Sequence, residues 1–257
     1  MTSTRSAARF AGTVALVTGG GSGIGRAVAQ ALAREGATVV VAGRRADTLA
    51  ETVALVEADG GHASLVPCDV TRAADVERLV DETVARHGGL HVAVNVAGTF
   101  AAGPLVELDE ATWSNQLAVN VTGVWLSMRY EIRHMRRHGG GAIVNVASVL
   151  GPHKAVPGTG AYGATKAAVS ALTQAAALEH IGDGIRINAV SPGPADTPMS
   201  LRPGETPAER AARVRREVPI GRIADLSEVT SAVLWLASPE ASFVVGHDLV
   251  LDGGVSL

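Results

Sequence analysis

Short runs of β-branched and aliphatic residues alternate with longer segments rich in Ala, Leu, Arg and Glu along most of the chain. The runs Thr13–Thr18, Thr38–Ala42, Ala63–Pro67, Val92–Val96, Ala142–Ala147, Ile185–Val190 and Leu249–Leu251 show little apolar/polar alternation, as strands buried on both faces do. Between them, Ile24–Glu35, Asp47–Asp59, Ala73–His87, Glu110–Arg137, Ala161–Ile181 and Ser227–Ala237 read as helices. Leu49, Val53 and Val56 mark one face of the second, and Val76, Leu79, Val80 and Val84 one face of the third. The alternation predicts a doubly wound α/β fold: a parallel seven-stranded sheet with helices on both faces, in a single domain.

Pro192, Pro194, Pro198, Pro203 and Pro207 crowd into residues 191–222, which carry no strand pattern. The segment follows a strand's C-terminal end, where open α/β sheets place ligands, so a substrate-covering loop is expected there. An ordinary surface connection is the alternative. Residues 1–9 are expected to be a flexible tail ahead of a domain spanning 10–257.

Composition narrows the class. With 47% hydrophobic and 18% charged residues the chain can fill a core, and a net charge of -3 gives no reason to expect nucleic acid as a partner. One cysteine, Cys68, allows neither an intramolecular disulfide nor a multi-cysteine zinc site, which fits a reducing compartment. No apolar run nears the roughly 20 residues a bilayer requires, and Gly19–Gly25 interrupts what would otherwise mimic a secretory leader. A cytoplasmic protein without membrane partners is expected.

Thr18-Gly19-Gly20-Gly21-Ser22-Gly23-Ile24-Gly25 follows the first strand and opens a helix. Glycines there permit positive φ and close approach of backbone N–H groups to a phosphate, and the helix N-terminus adds favourable partial charge. The spacing is T-G-x-x-x-G-x-G rather than G-x-G-x-x-G, and no G-K-[ST] follows, so a dinucleotide is indicated and a P-loop is not. Arg44 and Arg45 end the second strand where an acidic residue would bind the ribose of NAD. A guanidinium suits a 2′-phosphate, so NADP(H) is favoured and NAD(H) is the alternative.

Tyr162 and Lys166 lie four residues apart, hence on one helix face, in a chain holding only two tyrosines. A nearby ammonium favours phenolate and is expected to lower the phenol's pKa, making Tyr162 an acid/base. Ser148 ends the fifth strand, placed to donate to a substrate carbonyl oxygen.

With these residues in place the chain resembles the short-chain dehydrogenase/reductase (SDR) family from Phe10 to Gly254, a Rossmann-type fold. The resemblance rests on Thr18–Gly25, Asn95-Val96-Ala97-Gly98, Asn120, Ser148, Tyr162 with Lys166, Asn188, and Pro192-Gly193 through Thr197. It implies hydride transfer between a nicotinamide cofactor and a secondary alcohol or ketone, with Asn120, Ser148, Tyr162 and Lys166 as catalytic residues. It also implies that Gly19, Ser22, Gly23, Ile24, Arg44, Asp69, Val70, Asn95, Tyr162, Lys166, Gly193 and Thr197 bind the cofactor. Val96 and Ala195 depart from the family pattern, and Ala195 puts the nicotinamide carboxamide contact in doubt. The segment Gly246–Gly254 is similar to the C-terminal strand many members use in a homotetramer. The rival readings are an NAD-dependent dehydrogenase of a sugar, polyol or ring diol, and a cofactor-binding sensor that has lost the reaction.

No histidine cluster has metal-ligand spacing, and no catalytic metal is expected. His153 reads as a solvated loop residue. Arg210, Arg213, Arg215 and Arg216 form a basic group, of which Arg213 and Arg216 would engage a substrate with an acidic handle such as an acyl thioester.

Overall fold

The structure is a computed structural model, and it describes residues 8–201 and 204–257. Seven strands form one parallel sheet in the order β3-β2-β1-β4-β5-β6-β7. They are β1 Val14–Thr18, β2 Thr38–Gly43, β3 His62–Pro67, β4 Val92–Asn95, β5 Gly141–Val146, β6 Ile185–Pro192 and β7 Asp248–Leu251. The helices are α1 Gly23–Arg34, α2 Ala46–Ala58, α3 Ala73–His87, α4 Glu110–Leu117, α5 Gly123–Met135, α6 Gly160–His180, α7 Pro207–Glu217 and α8 Leu226–Ala237.

Helices cover both faces of the sheet. On one face Val76 and Leu79 of α3, Ile132 of α5 and Val169 of α6 pack with Leu16, Ile143 and Ile187. On the other, Val28 and Leu32 of α1 and Val233 and Leu234 of α8 pack with Val17, Val94 and Val190. This two-sided burial explains why the inner strands read as apolar runs. The strand order reverses between β1 and β4, and the crevice at the carboxyl ends of those two strands is where such sheets take ligands.

Two elements differ from expectation. The helix expected over Glu110–Arg137 is α4, a π-helical turn at Ala118–Thr122, and α5. The segment 191–222 is not a plain loop: it contains α7, which starts at a capping box formed by Thr206 and Glu209 around Pro207. Of the tail expected at 1–9, residues 1–7 lie outside the described residues, and Arg9 pairs with Glu35 and Glu240. Among the described residues no helix is long and apolar enough to cross a membrane.

Candidate active site

The turn after β1 is built for close approach. Gly19 adopts φ +69°, and a Cβ on it would lie 2.8 Å from the Ala97 nitrogen. A Cβ on Gly25 would lie 2.2 Å from the Gly19 oxygen, so neither position admits a side chain. From beneath, Thr52 Oγ1 donates to the Gly20 carbonyl at 2.8 Å and Arg26 to the Gly21 carbonyl at 2.6 Å. Ser22 is the extended N-cap of α1, yet its hydroxyl makes no capping bond. That hydroxyl and the first-turn amides of α1 are the donors a pyrophosphate needs. The residues present therefore fit a dinucleotide.

A cleft of about 500 Å³ opens beside this turn, lined by Gly19, Ser22, Arg44, Asp69, Val70 and Ala97 among others. Arg44 is exposed at the mouth of this cleft. Burial opposes the Asp69 carboxylate, but bonds from the Thr71 amide (3.0 Å) and hydroxyl (2.8 Å), with Arg44 and Arg72 nearby, hold it below the usual carboxylate range. Val70 packs so closely on the start of α5 that a Cβ on Gly123 would come 2.7 Å from it. Cys68 also lines the cleft, as a thiol that burial pushes up to about 12.

Gly23, at φ +50°, and the half-buried Ile24 begin α1, and Thr197 stands over them: a Cβ on Gly23 would be 3.3 Å from its methyl. Two expected cofactor residues also pack within the fold. The Asn95 side chain donates to Glu131 and to Asn145, each at 3.0 Å, inside the core, and Ala97 and Gly98 line the cleft instead. Gly193 backs onto the residue after β7: a Cβ on it would lie 2.8 Å from the Asp252 Cα. Asn188 likewise serves the fold, donating to the Val244 carbonyl and accepting from the His247 amide, each at 2.9 Å.

The four residues expected to be catalytic come together near the carboxyl ends of β4 and β5. Ser148, just past β5, accepts from the Leu150 amide at 3.1 Å, and its hydroxyl is near enough to the Tyr162 phenol to favour the phenolate. Tyr162 and Lys166 share one face of α6, with Lys166 Nζ 5.7 Å from the Tyr162 ring centroid. Lys166 donates to the Val146 carbonyl at 2.7 Å. Asn120 sits in the π-helical turn, fully buried. Its Oδ1 accepts from the Thr99 amide at 2.8 Å, and its Nδ2 donates to the Thr99 carbonyl (2.9 Å) and Thr165 Oγ1 (3.0 Å). Thr165 in turn donates to the Tyr162 carbonyl at 2.7 Å, so Asn120 braces the turn of α6 that carries the phenol.

In the structure the Tyr162 phenol lies above its ordinary value. Burial pushes the phenol up to about 12, with the Ser148 hydroxyl opposing, and burial depresses Lys166 to about 8. Desolvation is the leading cause for both groups. Phe100, which nothing in the sequence pattern marks, meets the Tyr162 ring edge-on at 4.9 Å and keeps that side of the phenol apolar.

Two further expectations are corrected. His153 is not a solvated loop residue: its Nε2 lies 3.0 Å from Asp248 Oδ2. Arg213 is no free cation for an acidic handle, because Glu205 takes its guanidinium at 2.6 and 2.8 Å with only 12% of the side chain exposed. Among the described residues no group of three or more His, Cys, Asp or Glu is placed to hold a metal ion.

Beneath the site lies a buried polar network. Besides Asn95, it contains Asn145, which donates to Thr173 at 2.9 Å, and Glu131, whose Oε1 has no hydrogen-bond partner among the described residues. Burial raises the Glu131 carboxyl to about 7, with the Asn95 bond opposing.

The family model described as "Enoyl-(Acyl carrier protein) reductase" matches residues 19–256. The chain is 45% identical over 247 residues to the cis-4-hydroxycyclohexanecarboxylate dehydrogenase of Sinomonas cyclohexanicum, covering 95% of this chain and 97% of that protein. It is 42% identical over 247 residues to a 2,5-dichloro-2,5-cyclohexadiene-1,4-diol dehydrogenase of Sphingobium indicum, with 95% and 97% covered. A solved short-chain type dehydrogenase/reductase from Mycobacterium marinum superposes with a TM-score of 0.91 at 34% identity, over 97% of this chain and 98% of that one. The chain belongs to the short-chain dehydrogenase/reductase family and is an oxidoreductase of that family.

Proposed function

We propose that the protein interconverts a secondary alcohol and a ketone on a six-membered carbocycle, with NADP(H) favoured over NAD(H). The observation that carries the reading is the meeting of Ser148, Tyr162 and Lys166 beside the dinucleotide cleft. The ring is supported by the names of two relatives, each acting on a hydroxyl-bearing cyclohexane or cyclohexadiene. The cofactor preference is supported by Arg44 at the mouth of the cleft, with no acidic residue at the end of β2.

A bound nicotinamide supplies the hydride in reduction and takes it up in oxidation. In reduction the Ser148 hydroxyl donates to the carbonyl oxygen, and Tyr162, kept protonated by burial, delivers its proton to the same oxygen. The Lys166 ammonium favours the phenolate left behind, and Asn120 steadies the turn through Thr165. Oxidation runs through the same groups in the opposite protonation states. A second reading, an NAD-dependent dehydrogenase of a ring diol, sugar or polyol, is favoured on the substrate side by the diol relative. A non-catalytic sensor is disfavoured because all four catalytic positions are filled and clustered.

The proposal extends to a homotetramer in the cytoplasm. Trp113 and Trp125, 40% and 44% exposed on α4 and α5, support contacts between copies; sedimentation of the purified protein tests this. The substrate test is oxidation of cis-4-hydroxycyclohexanecarboxylate, a cyclohexane-1,4-diol and an acyclic secondary alcohol with each cofactor. A ring alcohol should exceed the acyclic one by about tenfold or more in kcat/KM, a difference of about 1.4 kcal/mol. Equal rates would remove the ring from the proposal.

A further inference from the structure

Three side chains from three elements meet on one carboxylate outside the hydride-transfer cluster. Asp248 opens β7, paired with Ala189 of β6. Its Oδ1 accepts from Ser191 Oγ at 2.7 Å and its Oδ2 from Ser170 Oγ at 2.6 Å, while His153 Nε2 lies 3.0 Å from Oδ2. The Asp248 side chain is 8% exposed, and Ser170 and Ser191 are buried. A carboxylate so shielded from water depends on its donors, and here it has three.

What those donors carry matters more than their number. Ser170 lies one turn beyond Lys166 and two beyond Tyr162, on the same face of α6. His153 belongs to the loop that begins at Ser148, which closes through the Lys154 amide and the Val149 carbonyl at 2.9 Å. Ser191 immediately precedes Pro192, whose carbonyl accepts from the Val149 amide at 3.1 Å. One carboxylate thus ties the helix bearing the phenol and ammonium to both supports of the serine loop.

We infer that Asp248 is a positioning residue: through Ser170, His153 and Ser191 it sets the separation of Ser148 from Tyr162. The inference rests on the hydride-transfer reading above. Its leverage on rate is steep, because small displacements of positioned groups cost much of their catalytic effect.

The test uses the full chain carrying Asp248→Asn, which keeps the shape but replaces an acceptor oxygen with an NH2 group facing donors. Turnover number should fall about tenfold or more. KM for the ring alcohol and Kd for the dinucleotide should stay within about twofold. Hydrogen exchange should quicken in residues 149–154 and the first turns of α6 and stay unchanged in β1 and α1. His153→Gln and Ser170→Ala should each lower kcat by less, and neither should lower it further in the Asp248→Asn background.

An unchanged kcat with a lower melting temperature would make Asp248 a stabilising residue only and overturn the inference. So would an equal loss of dinucleotide affinity, or fully additive losses in the double variants. If Asp248→Asn does not fold, Ser170→Ala decides: reduced kcat at unchanged KM supports the inference and unchanged kcat overturns it. If the wild type turns over no alcohol or ketone, the oxidoreductase reading fails by itself, and the exchange pattern of 149–154 then decides the role of Asp248.

Discussion

Lys166 Nζ donates to the Val146 carbonyl at 2.7 Å, so the cation of the catalytic cluster rests on a neutral acceptor. Burial depresses its pKa from 10.5 to about 8, which makes the ammonium a cost to folding. The sign follows from proton binding: between about pH 8 and 10.5 the unfolded chain holds a proton the folded one has lost. The cost is therefore full below about pH 8 and relieved as pH rises toward 10.5, on the order of 3 kcal/mol in all. Lys166→Met should raise the melting temperature at neutral pH while abolishing turnover. Thermal unfolding at two pH values, alongside an activity assay, checks both halves.

Glu131 gives the opposite slope. Its carboxyl, raised from 4.5 to about 7 by burial, keeps a proton in the folded state that the unfolded chain has released across that interval. Stability should fall as pH rises from 4.5 to about 7 and level off above. Glu131→Gln should flatten that slope and gain up to about 3 kcal/mol at pH 8 relative to the wild type. Urea unfolding from pH 4 to pH 8 would show it, and parallel slopes in the two proteins would rule it out.

Removing the phenol proton isolates chemistry from binding. Tyr162→Phe should lower kcat by about 10²–10⁴-fold and leave dinucleotide affinity nearly intact. Ser148→Ala should cost about 10²–10³-fold. Cofactor fluorescence titrations of both variants, set beside their turnover, separate the two effects.

Arg44 should decide between cofactors. NADPH is expected to bind at least about tenfold tighter than NADH, and Arg44→Ala should erase that gap of about 1.4 kcal/mol. A preference for NADH in the wild type would make Arg44 a bystander and shift weight to the NAD-dependent diol reading.

The five inner strands were legible because a strand buried on both faces has no solvent side to show, whereas the edge strands β3 and β7 are only half-buried. Tyr162, Lys166 and Ser148 were legible because one-turn spacing and a strand end place them together. The π-helical turn at Ala118–Thr122 was hidden, since helical periodicity runs through an inserted residue without any change of residue type. Helix α7 did leave a signal in Thr206-Pro207-Ala208-Glu209, a capping box with proline first in the helix, but the crowd of prolines around it suggested a loop. Asp248 left none: its partners lie 57, 78 and 95 residues away, beyond any local pattern.

The two bonds under the glycine turn bear on association kinetics. With the Gly20 and Gly21 carbonyls already anchored by Thr52 and Arg26, the phosphate cradle stands assembled before any ligand arrives. Little ordering entropy remains to be lost on encounter, so capture of the dinucleotide should be limited by diffusion and electrostatic steering rather than by rearrangement of the turn.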